Sequence, residues 1–475
     1  MDALPFTYFI SPSFKLPSGA EPFAVPPPPA GSFAHAPPFD IPESWWVSVL
    51  DARVPVTIAA VYAITAKVLT SYNLSHNKQP WAISKTRAFK VFVVLHNVFL
   101  AIYSAWTFIN MTGAMHRAIA SPNGPNGITA TVDSFCQING VPGFDGGVFF
   151  NEEAGKYTTL GNNAGLDAAT GRPSRYATGR LWNEGLAFYG WWFYLSKFYE
   201  VLDTLIILAK GKPSSTLQTY HHAGAMMCMW AGIRWMAPPI WLFVVYNSLI
   251  HSLMYTYYTV TAFNIRVPMV IKRSLTTMQI TQFLVGVVCA MSYAFIAYAL
   301  PITVQVSQTA TAAESQPTAS MAEANNNGML GTLKQMVIGA MTKAADAAAA
   351  ASSAAAVEPS AETSYRTETV YVTQNCVNSS GVQFAVWLNV FYLAPLTYLF
   401  VSFFIASYTR RGRTDARKGG KAQATEGQLI DVQRAEKAGW EAAKSVEKEV
   451  YGQDGASSPK RAARTARATR SSGSR

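Results

Sequence analysis

The chain has 475 residues, half of them hydrophobic and only 14% charged, well below the roughly 25% charge of an ordinary soluble domain. That balance argues against a solvated globule and for a chain that crosses a membrane several times. The net charge of +11 is no argument for nucleic acid. Much of it lies in a tail running from Arg410-Arg411-Gly412-Arg413 to Arg470, and a basic run beside a membrane contacts anionic headgroups.

In chain order, residues 1–45 are proline-rich, with Pro26 to Pro29 consecutive. They lack the continuous apolar core of a cleavable leader and are expected to be irregular. Seven apolar stretches follow that are long enough for roughly 30 Å of hydrocarbon: Val54–Ser71, Phe89–Met111, Phe188–Ala209, Tyr220–Met236, Pro239–Phe263, Leu275–Leu300 and Val382–Tyr408. The expected fold is all-α and polytopic, with seven transmembrane helices. The loop from Thr112 to Arg180 is too long for a plain connection and is expected to cap the lumenal end. The insertion from Pro301 to Gly381, with its run Ala347–Ala351, is expected to be largely unpacked. Within it, Met329–Ala345 has apolar residues at helical spacing, suited to a membrane surface. The expected organisation is therefore 1–45, 46–300, 301–381, 382–408 and a basic tail, 409–475, in which Gly427–Val450 reads as a charged, solvated helix.

Lysine and arginine set the orientation. Lys78, Lys85, Arg87 and Lys90 follow the first stretch, Lys210 and Lys212 the third, and Arg266, Lys272 and Arg273 the fifth, whereas Asp2, Glu21, Asp40 and Glu43 mark the N-terminal segment. This places the N-terminus in the lumen and the C-terminus in the cytosol. Cys136 and Cys376 then fall in the two lumenal loops, where disulfides are permitted. A Cys136–Cys376 bridge is expected, with two free thiols as the alternative.

Ionisable residues at bilayer depth cost about 2.5–3.5 kcal/mol even on insertion scales, so they mark function or pairing. On the third stretch Lys197, Glu200 and Asp203 recur every three residues and share a 120° arc. They read either as a salt bridge that locks helices or as the wall of a polar chamber. The fourth stretch opens with His221 and His222, which diverge by about 100° and so do different jobs. The fifth aligns Asn247, His251, Met254, Tyr255 and Tyr258 on one face, and the sixth adds Thr276, Gln279 and Gln282.

The seven histidines, four of them at positions 35, 76, 96 and 116, are too few and too scattered for a multi-histidine di-iron site. A single zinc on His221 or His222 with His251 and Glu200 or Asp203 stays open. Without metal, buried neutral imidazoles suit general-base and nucleophilic work, including attack on a thioester to give an acyl-imidazole. A seven-helix receptor or transporter is the rival class. Against it, Val382–Tyr408 has no lysine and no Asn-Pro-x-x-Tyr, and no internal repeat is evident.

Lys197-Phe-Tyr-Glu200-Val-Leu-Asp203-Thr204 resembles the KxxExxDT motif of the ELO family of fatty-acid elongases, and Gln218-Thr-Tyr-His221-His222 resembles its HxxHH box. Asn247 to Tyr255 resembles NxxxHxxMY, and Thr276 to Gln282 resembles TxxQxxQ. The resemblance covers about residues 45–300 and the last stretch. It implies an endoplasmic-reticulum membrane enzyme whose helices, six of seven, enclose an acyl tunnel. The implied reaction condenses acyl-CoA with malonyl-CoA to 3-oxoacyl-CoA, CO2 and CoA, with no bound cofactor or metal.

Carried over by position, His221 takes the acyl group, and His251 positions malonyl-CoA or manages the proton. Asn247 steadies an oxyanion, and Lys197, Glu200, Asp203 and His222 complete the polar wall. Gln218, Tyr255, Tyr258, Gln279 and Gln282 fall with the substrate-binding residues, and Lys210, Lys212, Arg266, Lys272 and Arg273 with the CoA phosphates. Implied partners are the ketoacyl reductase, dehydratase and enoyl reductase of the cycle, membrane lipid, and a second copy in a homodimer. One departure stands out: the first histidine of the box is Gln218. The chain is a QxxHH variant, expected to be active with Gln218 donating a hydrogen bond.

Overall fold

A computed structural model describes residues 7–19, 21–161, 163–263, 265–308 and 364–418. It is mainly helical: α1 (Glu43–Val49), α2 (Arg53–Ser75), α3 (Arg87–Ala118), α4 (Gly127–Cys136), α5 (Ala187–Tyr199), α6 (Val201–Ala209), α7 (Thr216–Arg234), α8 (Ile240–Ala262), α9 (Met269–Ser292) and α10 (Ser380–Lys418). The strands are β1 (Thr7–Phe9), β2 (Phe149–Asn151), β3 (Lys156–Thr158), β4 (Ile296–Gln308) and β5 (Ser364–Asn375). Local chemistry accounts for several helix starts. Thr86 Oγ1 and Ser215 Oγ accept from the Phe89 and Gln218 N–H groups, each at 3.1 Å, satisfying donors left open in the first turns of α3 and α7. Pro239 and Pro268 stand just before α8 and α9, where no helical N–H is needed.

The helices α2, α3, α10 and the stretch through α9 are long and apolar enough to cross a membrane. Their outer faces are greasy: Val61, Ile64 and Val68 on α2, and Leu95, Phe99, Ile102 and Ile109 on α3, are exposed. Their polar residues Asn73, His96, Asn97 and Thr107 are buried. A helix apolar outside and polar inside is built for hydrocarbon.

The other three expected spans differ. The third is divided into α5 and α6 at Glu200, where the Asp203 N–H reaches the Glu200 carbonyl three residues back (3.1 Å). The helices α7 and α8 cover the fourth and fifth, but Gln218, His221 and His222 on one, and Asn247, Ser248 and His251 on the other, dilute their hydropathy. The sixth does not reach Leu300. Its helix stops at Ser292, and β4 begins at Ile296, in a run of β-branched and aromatic residues.

By contacts the chain forms two compact units, residues 1–300 with 371–475, and residues 301–370. The second is described only at its ends, in the outer parts of β4 and β5. Its described ends are strands; the alanine-rich middle of the insertion, where an unpacked chain is expected and Met329–Ala345 falls, lies outside the described residues, as does Gly427–Val450. The three-stranded sheet runs β1-β4-β5, with Thr7 opposite Tyr298 and Phe9 opposite Ile296, antiparallel.

Within the first unit, α5 touches α3, α7 and α8, while α6 touches α2 and α7. Around them, neighbours follow in the order α3, α8, α9, α10, α7, α2. One end of this bundle is sealed by segments from far apart in the chain. Residues 21–28 are irregular, as expected, yet packed: Trp46 and Trp182 donate to the Ala24 and Val25 carbonyls, and Arg234 to those of Glu21 and Pro22. Arg180 makes hydrogen bonds to three loop carbonyls, those of Gln137, Val141 and Gly143, and pairs with buried Asp133 at 2.9 Å. Cys136 at the end of α4 is bonded to Cys376 just before α10, as the cysteine pattern predicts, closing 240 residues of chain.

Candidate active site

The break at Glu200 sorts the three ionisable residues of α5 and α6 into two groups. Lys197 Nζ donates to Glu200 Oε1 (2.7 Å) and across to Asn247 Oδ1 on α8 (2.9 Å), and it also sits 4.0 Å above the Phe193 ring. Glu200 Oε1 further receives Ser196 Oγ (3.4 Å) and lies 3.5 Å from His251 Nδ1. Asp203 belongs to a different cluster. Its Oδ1 meets His96 Nε2 of α3 (2.8 Å), and its Oδ2 accepts from the Tyr255 hydroxyl of α8 (2.5 Å). The His96 ring stacks on Tyr199, with Nδ1 3.3 Å from the Tyr199 hydroxyl.

The sequence gives no motif to His96, which stood alone on its stretch. Its one legible signal is the polar pair His96-Asn97 in an otherwise apolar run, both buried here.

At the start of α7 the two histidines part, as helical geometry requires. His221 Nδ1 lies 2.9 Å from the hydroxyl of Tyr392 on α10, and its ring meets Phe283 edge-on. His222 turns the other way, edge-on to Tyr62 of α2 at 6.1 Å. Gln218 Nε2 donates to Thr204 Oγ1 (3.1 Å), which Tyr62 also contacts at 2.9 Å, so one buried hydroxyl ties α2, α6 and α7 together.

Between α5, α7, α8, α9 and α10 lies a cavity of about 50 Å³. Its polar lining is His221, Lys197, Asn247, Gln282, Asn389 and the Tyr246 and Tyr392 side chains; the rest is apolar. His221, Ala225 and Met229, four residues apart, form the α7 wall, and Leu242, Phe243 and Gly286 face them from α8 and α9. The cavity therefore leads from an imidazole along greasy side chains toward the end of α7.

Several expected site residues lie elsewhere. His251 and His222 do not line the cavity, because Lys197 and Glu200 stand beside His251 and Tyr62 receives His222. Tyr255 serves Asp203, and Tyr258 packs against Tyr255 and Leu100. Gln279 reaches Met254 Sδ (3.3 Å), while Gln282 does reach the cavity. Lys210 and Lys212 follow α6, Arg266 is exposed before α9, and Lys272 lies over the Tyr257 ring at 5.4 Å. The side chain of Arg273 lies outside the described residues. Among the described residues no three histidine, cysteine or acidic side chains converge as metal ligands. Glu200 and Asp203 instead bind Lys197, His96 and Tyr255.

The model of the GNS1/SUR4 (ELO) family matches residues 48–416. Among curated proteins, very long chain fatty acid elongase 3 of Homo sapiens is 34% identical over 106 residues, 22% of this chain and 39% of its own length. Putative fatty acid elongase 2 of Schizosaccharomyces pombe is 34% identical over 123 residues, 26% and 33% of the two chains. Putative fatty acid elongase 4 of Caenorhabditis elegans is 39% identical over 102 residues, 21% and 35%. The aligned parts thus span about two fifths or less of these relatives. No solved structure matches the chain.

Proposed function

The chain belongs to the GNS1/SUR4 (ELO) family, and from that membership we propose that it is a fatty-acid elongase. In this reading it is an acyltransferase that condenses a very-long-chain acyl-CoA with malonyl-CoA to 3-oxoacyl-CoA, CO2 and CoA. The observation that carries the proposal is His221 at the head of a cavity whose far wall is apolar, with Lys197 and Asn247 beside it.

An imidazole in such surroundings attacks the acyl-CoA thioester. A C–N bond forms, the C–S bond breaks, and CoA leaves as the thiolate. Malonyl-CoA then loses CO2, and its α-carbon attacks the acyl carbon, forming the new C–C bond as the C–N bond breaks and the His221 imidazole leaves. Asn247 accepts from Lys197 through Oδ1, which leaves its Nδ2 to donate to an oxyanion on the substrate. His251, held beside Glu200, would orient the malonyl half or take up its proton change. Lys210, Lys212, Arg266, Lys272 and Arg273 would bind CoA phosphates at the mouth.

The same reading places the protein in the endoplasmic reticulum membrane with seven crossings: α2, α3, α5 with α6, α7, α8, α9 and α10. Its N-terminus is lumenal and its C-terminus cytosolic. The disulfide in the capped end supports a lumenal face there, and the basic loops at α6 and α9 support a cytosolic one. The ketoacyl reductase, dehydratase and enoyl reductase of the cycle are the partners this chemistry calls for.

Microsomes carrying the full chain, given radiolabelled malonyl-CoA and a panel of acyl-CoAs, test the proposal. Incorporation with a defined set of chain lengths is expected, and none with any acyl-CoA would overturn it. His221→Ala should abolish both condensation and covalent acylation. Full activity in that variant would remove His221 from the nucleophile role.

A further inference from the structure

We propose that Tyr392, on α10, is a positioning residue that sets which ring nitrogen of His221 reacts. Its hydroxyl selects the tautomer with hydrogen on Nδ1 and the lone pair on Nε2. The inference rests on the nucleophile role of His221 given above. None of the four sequence motifs lies on α10, so nothing in them points to this residue.

The Tyr392 hydroxyl donates to the His221 carbonyl at 2.9 Å, and the same oxygen lies 2.9 Å from His221 Nδ1. A phenol has one hydrogen. With that hydrogen on the carbonyl, the phenol oxygen meets Nδ1 only as an acceptor, so Nδ1 carries the hydrogen and donates it. The hydrogen bond at one ring nitrogen thereby decides the state of the other. In the opposite tautomer the phenol would have to abandon the carbonyl, and an N–H would face the reacting carbon where a lone pair is needed.

The packing holds the phenol in this place. The Tyr392 ring lies against Gly224, where an added Cβ would fall 2.1 Å from ring atom Cε2. The Tyr220 ring stacks on it at 5.6 Å, and the Tyr220 hydroxyl donates to the Tyr392 carbonyl (3.3 Å). Tyr220 and Gly224, four residues apart on α7, thus form the seat that lets α10 approach closely enough for the hydroxyl to touch His221.

In the acylation step the Nε2 lone pair makes the C–N bond while the C–S electrons leave with the thiolate. The positive charge stays on the acylated ring, whose Nδ1–H remains on the Tyr392 oxygen. When the malonyl-derived carbon attacks, the C–N electrons return to the ring and the same tautomer is restored.

The test uses the full chain, purified in detergent and labelled with 15N-histidine, with His221 identified by the signals lost in His221→Ala. The expected spectrum shows Nδ1 protonated and Nε2 bare; Nε2–H in the unaltered protein would overturn the proposal without recourse to any tyrosine variant. Tyr392→Phe keeps the ring on Gly224 and should shift the tautomer balance. It should also lower kcat on the order of ten- to a hundred-fold, as loss of an orienting partner does, with KM for acyl-CoA little changed. An unchanged tautomer and kcat would refute it. The tautomer is readable without turnover, so a chain that performs some other reaction would sink the elongase reading while leaving this measurement to stand or fall by itself.

Discussion

Glu200→Gln is expected to destabilise the folded protein by about 3–5 kcal/mol, the usual cost of leaving one member of a buried ion pair behind. Lys197 and Glu200 are only 3% and 2% exposed, and their charged atoms lie 2.7 Å apart. At that distance two unit charges attract by about 6 kcal/mol for an effective dielectric near 20. Desolvation cancels most of this, so the intact pair contributes little net stability, whereas breaking it strands the Lys197 ammonium with Asn247 Oδ1 and the Phe193 face. Lys197→Met should be comparably costly, because it strands the carboxylate. The double variant should cost far less than the sum of the two. Denaturant titration in mixed micelles, followed by tryptophan fluorescence, gives all three values. Single costs below about 1 kcal/mol, or costs that add within about 0.5 kcal/mol, would refute the buried pair. Condensing activity should be lost in all three, since Lys197 borders the cavity.

Gln218→His should keep the proposed condensing activity within about ten-fold, because an imidazole can still donate to Thr204 Oγ1 and the proposed nucleophile is His221; a variant with no measurable activity would show that the Gln218 amide itself is required. At the sealed end of the bundle, burial pushes the Glu21 carboxyl up to about 7 against the opposing pull of a Ser379 hydrogen bond and the Arg234 guanidinium. A carboxyl raised in the folded state favours folding while protonated. Its contribution is therefore full below pH 4.5 and is lost as pH rises through 7, by about 3 kcal/mol. Thermal unfolding in detergent should be weaker at pH 8 than at pH 5, and Glu21→Gln should flatten that difference. An identical pH dependence in the variant would show that other groups produce it.

Much of this protein is legible in its residue order alone. Hydropathy marked where each long helix runs, to within a few residues at α2, α7 and α8, because the need to satisfy backbone groups in hydrocarbon leaves helices as the solution for such stretches. The Cys136–Cys376 bond is the one of two alternatives that the expected sidedness of the loops allowed, the other being two free thiols. The motifs named Lys197, His221, Asn247 and Gln282, all of which border one cavity.

What the sequence could not decide is which residue of one helix meets which residue of another. A repeat of three residues put Lys197, Glu200 and Asp203 on one arc, but only the side chains that α3 and α8 reach across with, His96 and Tyr255, draw Asp203 away from the other two. The same limit hid Tyr392, which touches His221 across 171 residues of chain because Gly224 leaves room for its ring. It also hid the strands at the ends of the alanine-rich insertion, whose pairing partners lie far away in sequence. Residue order determines the face a side chain occupies, at about 100° per residue along a helix; the partner on the other side exists only once the helices have packed.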